Sequence, residues 1–211
     1  MSFPVSEGVD VARLQRSLNA MLAPEVVVLD ARPAPPWFDA RRSATAREYR
    51  YRIDVGPWPD PFTARFVWHR PGALRLASMR EAANALVGWH DFASFCRAPK
   101  DGSSTVRDLQ RLAVWKKGDR VEIAARANAF CHQMVRSLVG TLVAVGEGVI
   151  DSGRMHEILR ARSRRTAGPV APPHGLTLER VVYGRRAAAG APRPGRAAAS
   201  PRRGPAAWLT E

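Results

Sequence analysis

Arginine and tyrosine side chains concentrate between Phe38 and Tyr51. This stretch, FDARRSATAREYRY, holds four arginines and two tyrosines. Guanidinium groups pair with phosphate oxygens, and a flat tyrosine ring is a surface on which a nucleobase can stack. Tyrosines in strands also pack commonly against the face of a sheet, with the arginines between them solvated. The residue types therefore indicate either a nucleic-acid contact or an ordinary amphipathic strand, and both interpretations stay open.

A second cluster lies between Asn128 and Gly140, in NAFCHQMVRSLVG. On a helix, His132, Arg136 and Gly140 lie on one face at intervals of four, next to an apolar stripe. Arg136 could then point inward between helix and sheet, where Gly140 would allow a close backbone approach. An arginine at the protein surface is the commoner case, and a histidine such as His132 more often hydrogen-bonds locally than catalyses.

The octapeptide GWHDFASF forms a third cluster. His90 or Asp91 could act as a general acid or base. The favoured interpretation is structural: Asp91 and Ser94 cap a turn, while Phe92 and Phe95 anchor it in the core.

The sequence has two cysteines, Cys96 and Cys131, which are residues of a type that can bind a metal or act as a nucleophile. They lack Cys-x-x-Cys spacing and stand in apolar surroundings. A structural zinc site, or any other metal site, is therefore not expected.

The elements that must position these clusters follow from hydrophobic periodicity and cap signals. Asp10 caps a predicted helix that ends at Pro24, and the valine-rich run Glu25–Leu29 predicts a buried strand. Ser78 followed by Glu81 is a capping-box pattern for a helix. The predicted helices after Pro24 are Met79–Val87, Phe130–Val145 and Arg154–Arg162, and the further predicted strands are Glu48–Val55, Val106–Trp115, Arg120–Ala127 and Leu176–Tyr183. Hairpin strands mixed with flanking helices predict an α+β fold with a mostly antiparallel sheet.

Composition narrows the class of protein. No stretch approaches the roughly 20 apolar residues that cross a bilayer, and the N-terminus MSFPVSEGVD lacks the basic and apolar regions of a signal peptide, so a cytoplasmic protein is expected. The formal net charge is +14, of which residues 185–211, an Ala/Pro/Gly/Arg-rich segment predicted to be a disordered tail, carry +5. The +9 of residues 1–184 favours a polyanionic partner such as nucleic acid. An arginine-rich composition without such a partner is the alternative.

Four blocks, in order, resemble motifs of the tRNA pseudouridine synthase A (TruA) family. The family motifs are FHARFSATARxYRY, GxHDFxSF, NAFLxxMVRNxVG and APPxGLxLxxVxY. The present versions are FDARRSATAREYRY, GWHDFASF, NAFCHQMVRSLVG and APPHGLTLERVVYG. The resemblance covers about residues 2–184 and implies the pseudouridine synthase fold of tandem ferredoxin-like halves. Residues 1–55 would be what is present of the N-terminal half, and residues 56–184 the C-terminal half with the RNA-binding cleft.

The resemblance also implies a reaction: isomerisation of uridine to pseudouridine in the anticodon stem-loop of tRNA, without a cofactor, by a homodimer. The target nucleotide must leave its stack before a side chain can reach it. A carboxylate nucleophile then acts on the nucleoside while the uracil detaches, rotates and rejoins through C5.

Matching positions carry the family's residue roles onto this sequence. Tyr49 would contact the target base by stacking and would help to remove the C5 proton. Arg136 would pair with the catalytic carboxylate and keep it ionised, because a nearby positive charge lowers the pKa of an acid. The other implied contacts are those of Arg41, Arg47 and Arg50 with RNA phosphates and of Leu176 with the uracil ring.

The family's nucleophilic aspartate lies in a GRTDAGVHA-like segment that this sequence does not contain. The first half is therefore expected to be incomplete and the chain, as written, inactive. Asp39 and Arg42 stand where the family usually has histidine and phenylalanine; Asp39 is the nearest carboxylate but is not assigned as the nucleophile. Either the start codon was placed too late in an intact gene, or the gene is truncated. In the second case a non-catalytic, basic RNA-binding protein becomes the better interpretation.

Overall fold

One six-stranded sheet organises the chain from residue 44 onward. The computed structural model describes residues 1–97 and 102–184. The strands are β1 (Ala44–Asp54), β2 (Trp68–His69), β3 (Gly88–Asp91), β4 (Val106–Lys117), β5 (Arg120–Ala127) and β6 (Leu176–Tyr183). The α-helices are α1 (Val11–Leu22), α2 (Leu76–Ala85), α3 (Met134–Gly146) and α4 (Met155–Ala161), with 3₁₀ turns at Ala93–Phe95, Ser152–Arg154, Arg164–Thr166 and Pro173–Gly175.

β1 is the strand around which the others assemble. The order β2-β1-β5-β4-β3 runs across the sheet, and β6 pairs with β1 along the same edge as β2. Among the strands of the described residues, only the short β1–β2 pair is parallel. The predicted α+β class with a mostly antiparallel sheet is confirmed. The strands β2 and β3, which are only two and four residues long, are not predicted from the sequence.

The two faces of the sheet differ in chemistry because side chains alternate along each strand. Tyr51 and Ile53 are fully buried against the helices, and we call their side of the sheet the helix face. Arg50 and Arg52 project from the opposite side, the open face, where they pair with Glu179. The core between the helix face and α2, α3 and α4 includes Met79, Leu86, Phe92, Leu109, Ile123, Leu138, Leu142 and Met155.

A segment that we call the strap, residues 167–175, crosses α3 at Gly140. A Cβ atom on Gly140 would lie 1.8 Å from the carbonyl oxygen of Pro169, so only glycine leaves room for this crossing. The backbone N–H of Gly168 donates to Thr141 Oγ1 (3.0 Å) and that of Ala171 donates to the carbonyl of Arg136 (3.1 Å). The close backbone approach foreseen at Gly140 is thus present.

Residues 1–43 stand apart from this core, since none of them is buried. The predicted helix is confirmed as α1, and Asp10 caps it by accepting from Arg13 N–H (3.0 Å).

The strand predicted at Glu25–Leu29 is wrong, because this run has no strand pairing. Side chains of α1 occupy its backbone instead. Asn19 both donates to the carbonyl of Val28 (3.0 Å) and accepts from its N–H (2.7 Å), while Gln15 donates to the carbonyls of Val28 (2.9 Å) and Leu29 (3.0 Å). Groups that a neighbouring strand would need are therefore already bonded.

The capping box predicted at Ser78 and Glu81 is also wrong. α2 begins earlier, at Leu76, and no side chain caps it. The N–H of Arg75, at the N-cap, donates to the carbonyl of Gly146 at the end of α3 (2.9 Å). A tertiary contact, rather than a local cap, fixes where this helix starts.

α3 starts at Met134 rather than at the predicted Phe130. The side chain of Asn128 accepts from the N–H of Asp108 (3.1 Å) and holds the preceding residues in a loop. Gln133 has a left-handed backbone (φ 64°), which ends that loop. Local side-chain bonds of this kind compete with helix formation.

Two predictions on chain organisation remain predictions. Residues 185–211, the expected disordered tail, lie outside the described residues. The predicted boundary between two halves near residue 55 is not tested. β1 precedes that boundary, whereas its three pairing partners β2, β5 and β6 follow it.

Gly140→Ala should destabilise the fold, because its Cβ would collide with the strap backbone. We expect a loss of about 1–3 kcal/mol in the free energy of unfolding, despite the gain in helix propensity of about 1 kcal/mol. Gly146→Ala is the matched control, since there the Cβ meets mainly the flexible side chain of Met79 (2.8 Å). Urea denaturation measures both variants, and equal stabilities would contradict the crossing described above.

Candidate active site

Tyr49 projects from β1 on the helix face, two residues before Tyr51. Its ring is half-buried and meets Phe130 edge-on, with centroids 5.2 Å apart and planes at 88°. Phe130 belongs to the loop that joins β5 to α3. An edge-to-face pair of this geometry adds about 0.5–1.5 kcal/mol beyond the burial of the rings, so Phe130 fixes the orientation of Tyr49.

Arg136 lies in the first turn of α3 and is half-buried. Its Nε–H donates to the carbonyl oxygen of Ala171 in the strap (2.6 Å), while its own carbonyl accepts from Ala171 N–H (3.1 Å). Within residues 1–97 and 102–184, no carboxylate lies within 4.0 Å of the guanidinium. The strap therefore orients an arginine whose two Nη groups have no protein acceptor in that part of the chain.

Tyr51 joins the sheet to the same strap. Its hydroxyl donates to the carbonyl of Pro172 (2.7 Å), and a Cβ on Gly175 would lie 2.8 Å from its ring. Burial raises the pKa of the Tyr51 phenol, and the positive charge of Arg136 opposes that shift. The phenol thus remains a hydrogen-bond donor, and Arg136 is near enough to influence its ionisation.

These contacts bring three of the residues singled out from the sequence to one side of the sheet. Tyr49 and Arg136 both lie on the helix face, linked through Tyr51 and the strap. Leu176, which begins β6 directly after the strap, is half-buried and pairs with Tyr51. We call the place bounded by Tyr49, Phe130, Arg136 and Leu176 the strap site.

Arg47 also lies on the helix face, but its donors are engaged by backbone carbonyls. Its guanidinium donates to Asn128 (2.8 Å), to Ala44 (3.3 Å) and, through a short bond, to the carbonyl of Arg41. These bonds tie the start of β1 to the loop that carries Phe130. The Arg41 side chain is exposed.

Arg50 is not brought to the strap site. It lies on the open face, where it pairs with Glu122 (2.7 Å) and Glu179 (2.7 Å) and covers the ring of Trp115 at 5.3 Å. Two carboxylates already balance its charge. Phosphate binding by Arg41, Arg47 and Arg50 stays a prediction, and the geometry leaves Arg41 the most available of the three.

Asp39 closes a turn before β1. One carboxylate oxygen accepts from the N–H groups of Arg41 (2.8 Å) and Arg42 (2.7 Å), and these hydrogen bonds lower the pKa of Asp39. The turn lies at the end of β1 where Ala44 pairs with Tyr183.

The GWHDFASF cluster is built largely as the structural interpretation expects. Asp91 accepts from Ala93 N–H (3.1 Å) and pairs with Arg162 (3.0 Å), and both phenylalanines, Phe92 and Phe95, are fully buried. Ser94 differs: it does not cap this turn, because its hydroxyl donates to the distant carbonyl of Ile158 (2.6 Å).

Several residues that bound the strap site or support it were not singled out from the sequence. Phe130, Tyr51 and the carbonyls of Ala171 and Pro172 fall in the quoted motifs, yet only contacts across the fold give them a role. The proline and glycine content of the strap, together with Gly140 in α3, is the available signal that the strap backbone passes close to other elements.

No group of three or more metal-ligating side chains occurs among residues 1–97 and 102–184. In the same part of the chain, no helix is both long and apolar enough to cross a membrane.

Comparison with known proteins identifies the family. Residues 82–184 match the family described as tRNA pseudouridine synthase. A Sinorhizobium fredii protein named tRNA pseudouridine synthase A is 43% identical over 173 residues, which cover 81% of this chain and 70% of the relative. This chain belongs to the tRNA pseudouridine synthase family.

Other tRNA pseudouridine synthases support this assignment. A Methylobacterium nodulans tRNA pseudouridine synthase A is 45% identical over 166 residues, and one from Halalkalibacterium halodurans is 39% identical over 176 residues. The matched residues make up 78% and 83% of this chain, respectively, and span 65% of the length of either relative. The family match at 82–184 includes Phe130, Arg136, the strap and Leu176 and begins after Tyr49.

Tyr51→Phe should weaken the junction between sheet and strap, because it leaves the partly buried carbonyl of Pro172 without its donor. We expect a loss of about 1–3 kcal/mol in the free energy of unfolding. Tyr183→Phe is the matched control: its hydroxyl also donates to a backbone carbonyl, that of Ala40 (2.8 Å), but at the surface. Urea denaturation compares the two, and a loss for Tyr183→Phe as large as that for Tyr51→Phe would argue against the role given to Tyr51.

Proposed function

We propose that the strap site binds a flipped uridine of the tRNA anticodon stem-loop during its isomerisation to pseudouridine. One observation carries this proposal: the strap holds the guanidinium of Arg136 on the same side of the sheet as Tyr49, and neither Nη group has an acceptor among the described residues, so both can bind an acidic partner. The names of the relatives support tRNA as the substrate class.

Tyr49, Phe130 and Leu176 supply the surface for the base. The three side chains are half-buried, so each has part of its apolar area available to a ligand. A base taken out of its stack is commonly held between aromatic and apolar side chains. The phenol of Tyr49 would stand beside the uracil and assist removal of the C5 proton when the ring rejoins the sugar.

Arg136 would act on a carboxylate. A bidentate pair with its two Nη groups would orient a carboxylate nucleophile and keep it ionised at neutral pH. The carboxylate would act on the nucleoside, the N1–C1′ bond would break, and the C5–C1′ bond would form. The reaction is an isomerisation, so it needs no external oxidant or reductant.

Charge supports tRNA as the partner. The net charge of +14 favours a polyanion, and the affinity for tRNA should fall as salt rises. The proposal extends to a homodimer and to action in the cytoplasm, for which the family resemblance is the support.

None of the described carboxylates is proposed as the nucleophile. None lies within 4.0 Å of Arg136, and the Asp39 carboxylate is engaged in its own turn. The proposal therefore assigns the nucleophile to a GRTD-like segment that these 211 residues do not contain. The same observation favours a second candidate function, binding of RNA without catalysis.

Release of tritium from C5-labelled uridine in tRNA tests the proposal. We expect the 211-residue chain alone to be slower by at least about 10⁴-fold than the same chain joined to the GRTD-containing segment of a full-length family member, because it lacks the nucleophile. In the joined protein, Arg136→Ala should lower the rate about 100-fold through loss of orientation. Arg154→Ala, which removes an exposed arginine paired with Glu157, is the matched control and should leave the rate unchanged.

Comparable turnover by both proteins would overturn the assignment of the nucleophile, and Asp39→Asn would then be the next variant. If neither protein reacts while both bind tRNA, the non-catalytic function is the correct one.

A further inference from the structure

Two thiols from distant parts of the sequence meet beside the strap site. Cys96 follows the 3₁₀ turn Ala93–Phe95 and is buried, whereas Cys131 follows Phe130 in the loop before α3 and is half-buried. The N–H of Arg97 donates to the carbonyl of His132 (3.1 Å), which aligns the two segments next to their cysteines. Cys131 Sγ approaches the carbonyl oxygen of Thr105 (3.9 Å), and the two thiols are near enough for each to shift the pKa of the other.

Charged neighbours make these thiols unequal. The neighbouring Cys96 thiol lowers the pKa of Cys131, and the positive charge of Arg107 acts in the same direction, while burial and the Asp91 carboxylate oppose it. The Cys131 thiol and burial raise the pKa of Cys96. Arg107 Nε is buried without a hydrogen-bond partner among the described residues, so a thiolate at Cys131 would place a negative charge near an unsatisfied cationic donor.

We propose that Cys131 and Cys96 form a dithiol site that reacts with hydroperoxides and closes to a disulfide, with Cys131 as the attacking thiol and Cys96 as the resolving thiol. A half-buried thiolate next to a cation and a second thiol is the arrangement found in peroxide-sensitive cysteine pairs. The two cysteines are 35 positions apart and form no Cys-x-x-Cys motif, so the sequence spacing does not predict that they pair. The proposal does not depend on the isomerase function.

Oxidation of the pair would proceed in two steps. The Cys131 thiolate attacks one oxygen of hydrogen peroxide; an S–O bond forms, the O–O bond breaks, and hydroxide leaves and takes up a proton as water. Cys131 is then a sulfenic acid. The Cys96 sulfur attacks the Cys131 sulfur; the S–S bond forms, the S–O bond breaks, and the hydroxyl leaves with the Cys96 proton as water. Two thiols are oxidised by two electrons while one peroxide is reduced to two waters.

The disulfide would have a local consequence. Residues 128–133 join β5 to α3 and carry Phe130, which orients Tyr49. A covalent bond from Cys131 to Cys96 would fasten this loop to the segment after Ala93–Phe95, close to the strap site.

Intact-mass spectrometry of the reduced 211-residue protein, treated with one equivalent of hydrogen peroxide and then with N-ethylmaleimide, tests the proposal. We expect both thiols to be lost together, with a mass lower by two hydrogens, in a monomeric species on a non-reducing gel. Limited N-ethylmaleimide on the untreated, folded protein should label Cys131 before Cys96.

Single variants separate the two roles. Cys96→Ser should trap a sulfenic acid on Cys131 that dimedone labels, whereas Cys131→Ser should leave Cys96 reacting at least about 10-fold more slowly with peroxide. The proposal is overturned if the wild-type protein keeps both thiols while free cysteine in the same tube is consumed, if the disulfide joins two chains, or if Cys96 is labelled first.

Discussion

Packing of the strap against α3 is the constraint on which the rest of the site depends. Gly140 lets residues 167–175 touch the helix. The hydrogen bonds that join the strap to its two neighbours include one from Arg136 to the carbonyl of Ala171 and one from Tyr51 to the carbonyl of Pro172. Helix, strap and β1 thereby form one unit. A side chain added at Gly140 would move the carbonyl that holds Arg136, so a packing residue controls the geometry of a polar site.

β1 divides the basic residues of the chain into two groups with different surroundings. Arg50 and Arg52 lie on the open face among glutamates, and Arg126 there pairs with Glu48, so this face is a network of opposite charges. Arg136 lies on the helix face with no carboxylate in salt-bridge range among the described residues. Burying the charge of an arginine that has no carboxylate partner costs free energy unless an anion binds to it. Net charge alone would not distinguish these two groups, whereas the pairing pattern does.

Sequence alone predicted the parts of the fold that depend on local pattern. Alternation placed Tyr49 and Tyr51 on the face opposite Arg50, the predicted strands Val106–Trp115 and Arg120–Ala127 correspond to β4 and β5, and helical spacing placed Gly140 in line with Arg136. Predictions from local pattern failed where contacts between residues distant in the sequence determine the structure. The run Glu25–Leu29 reads as a strand until the α1 side chains that occupy its backbone are known. The charge balance of Arg50 depends on Glu122 and Glu179, and the pairing of Cys96 with Cys131 depends on a loop contact; no local spacing encodes either.

We propose that RNA contacts the protein at the strap site on the helix face and not at the charge network of the open face. Photo-cross-linking with tRNA that carries 4-thiouridine in the anticodon stem-loop, read at residue level by mass spectrometry, tests it most directly. We expect cross-links at Tyr49 or Phe130. Cross-links concentrated at Trp115 and Arg126, on the open face, would contradict it.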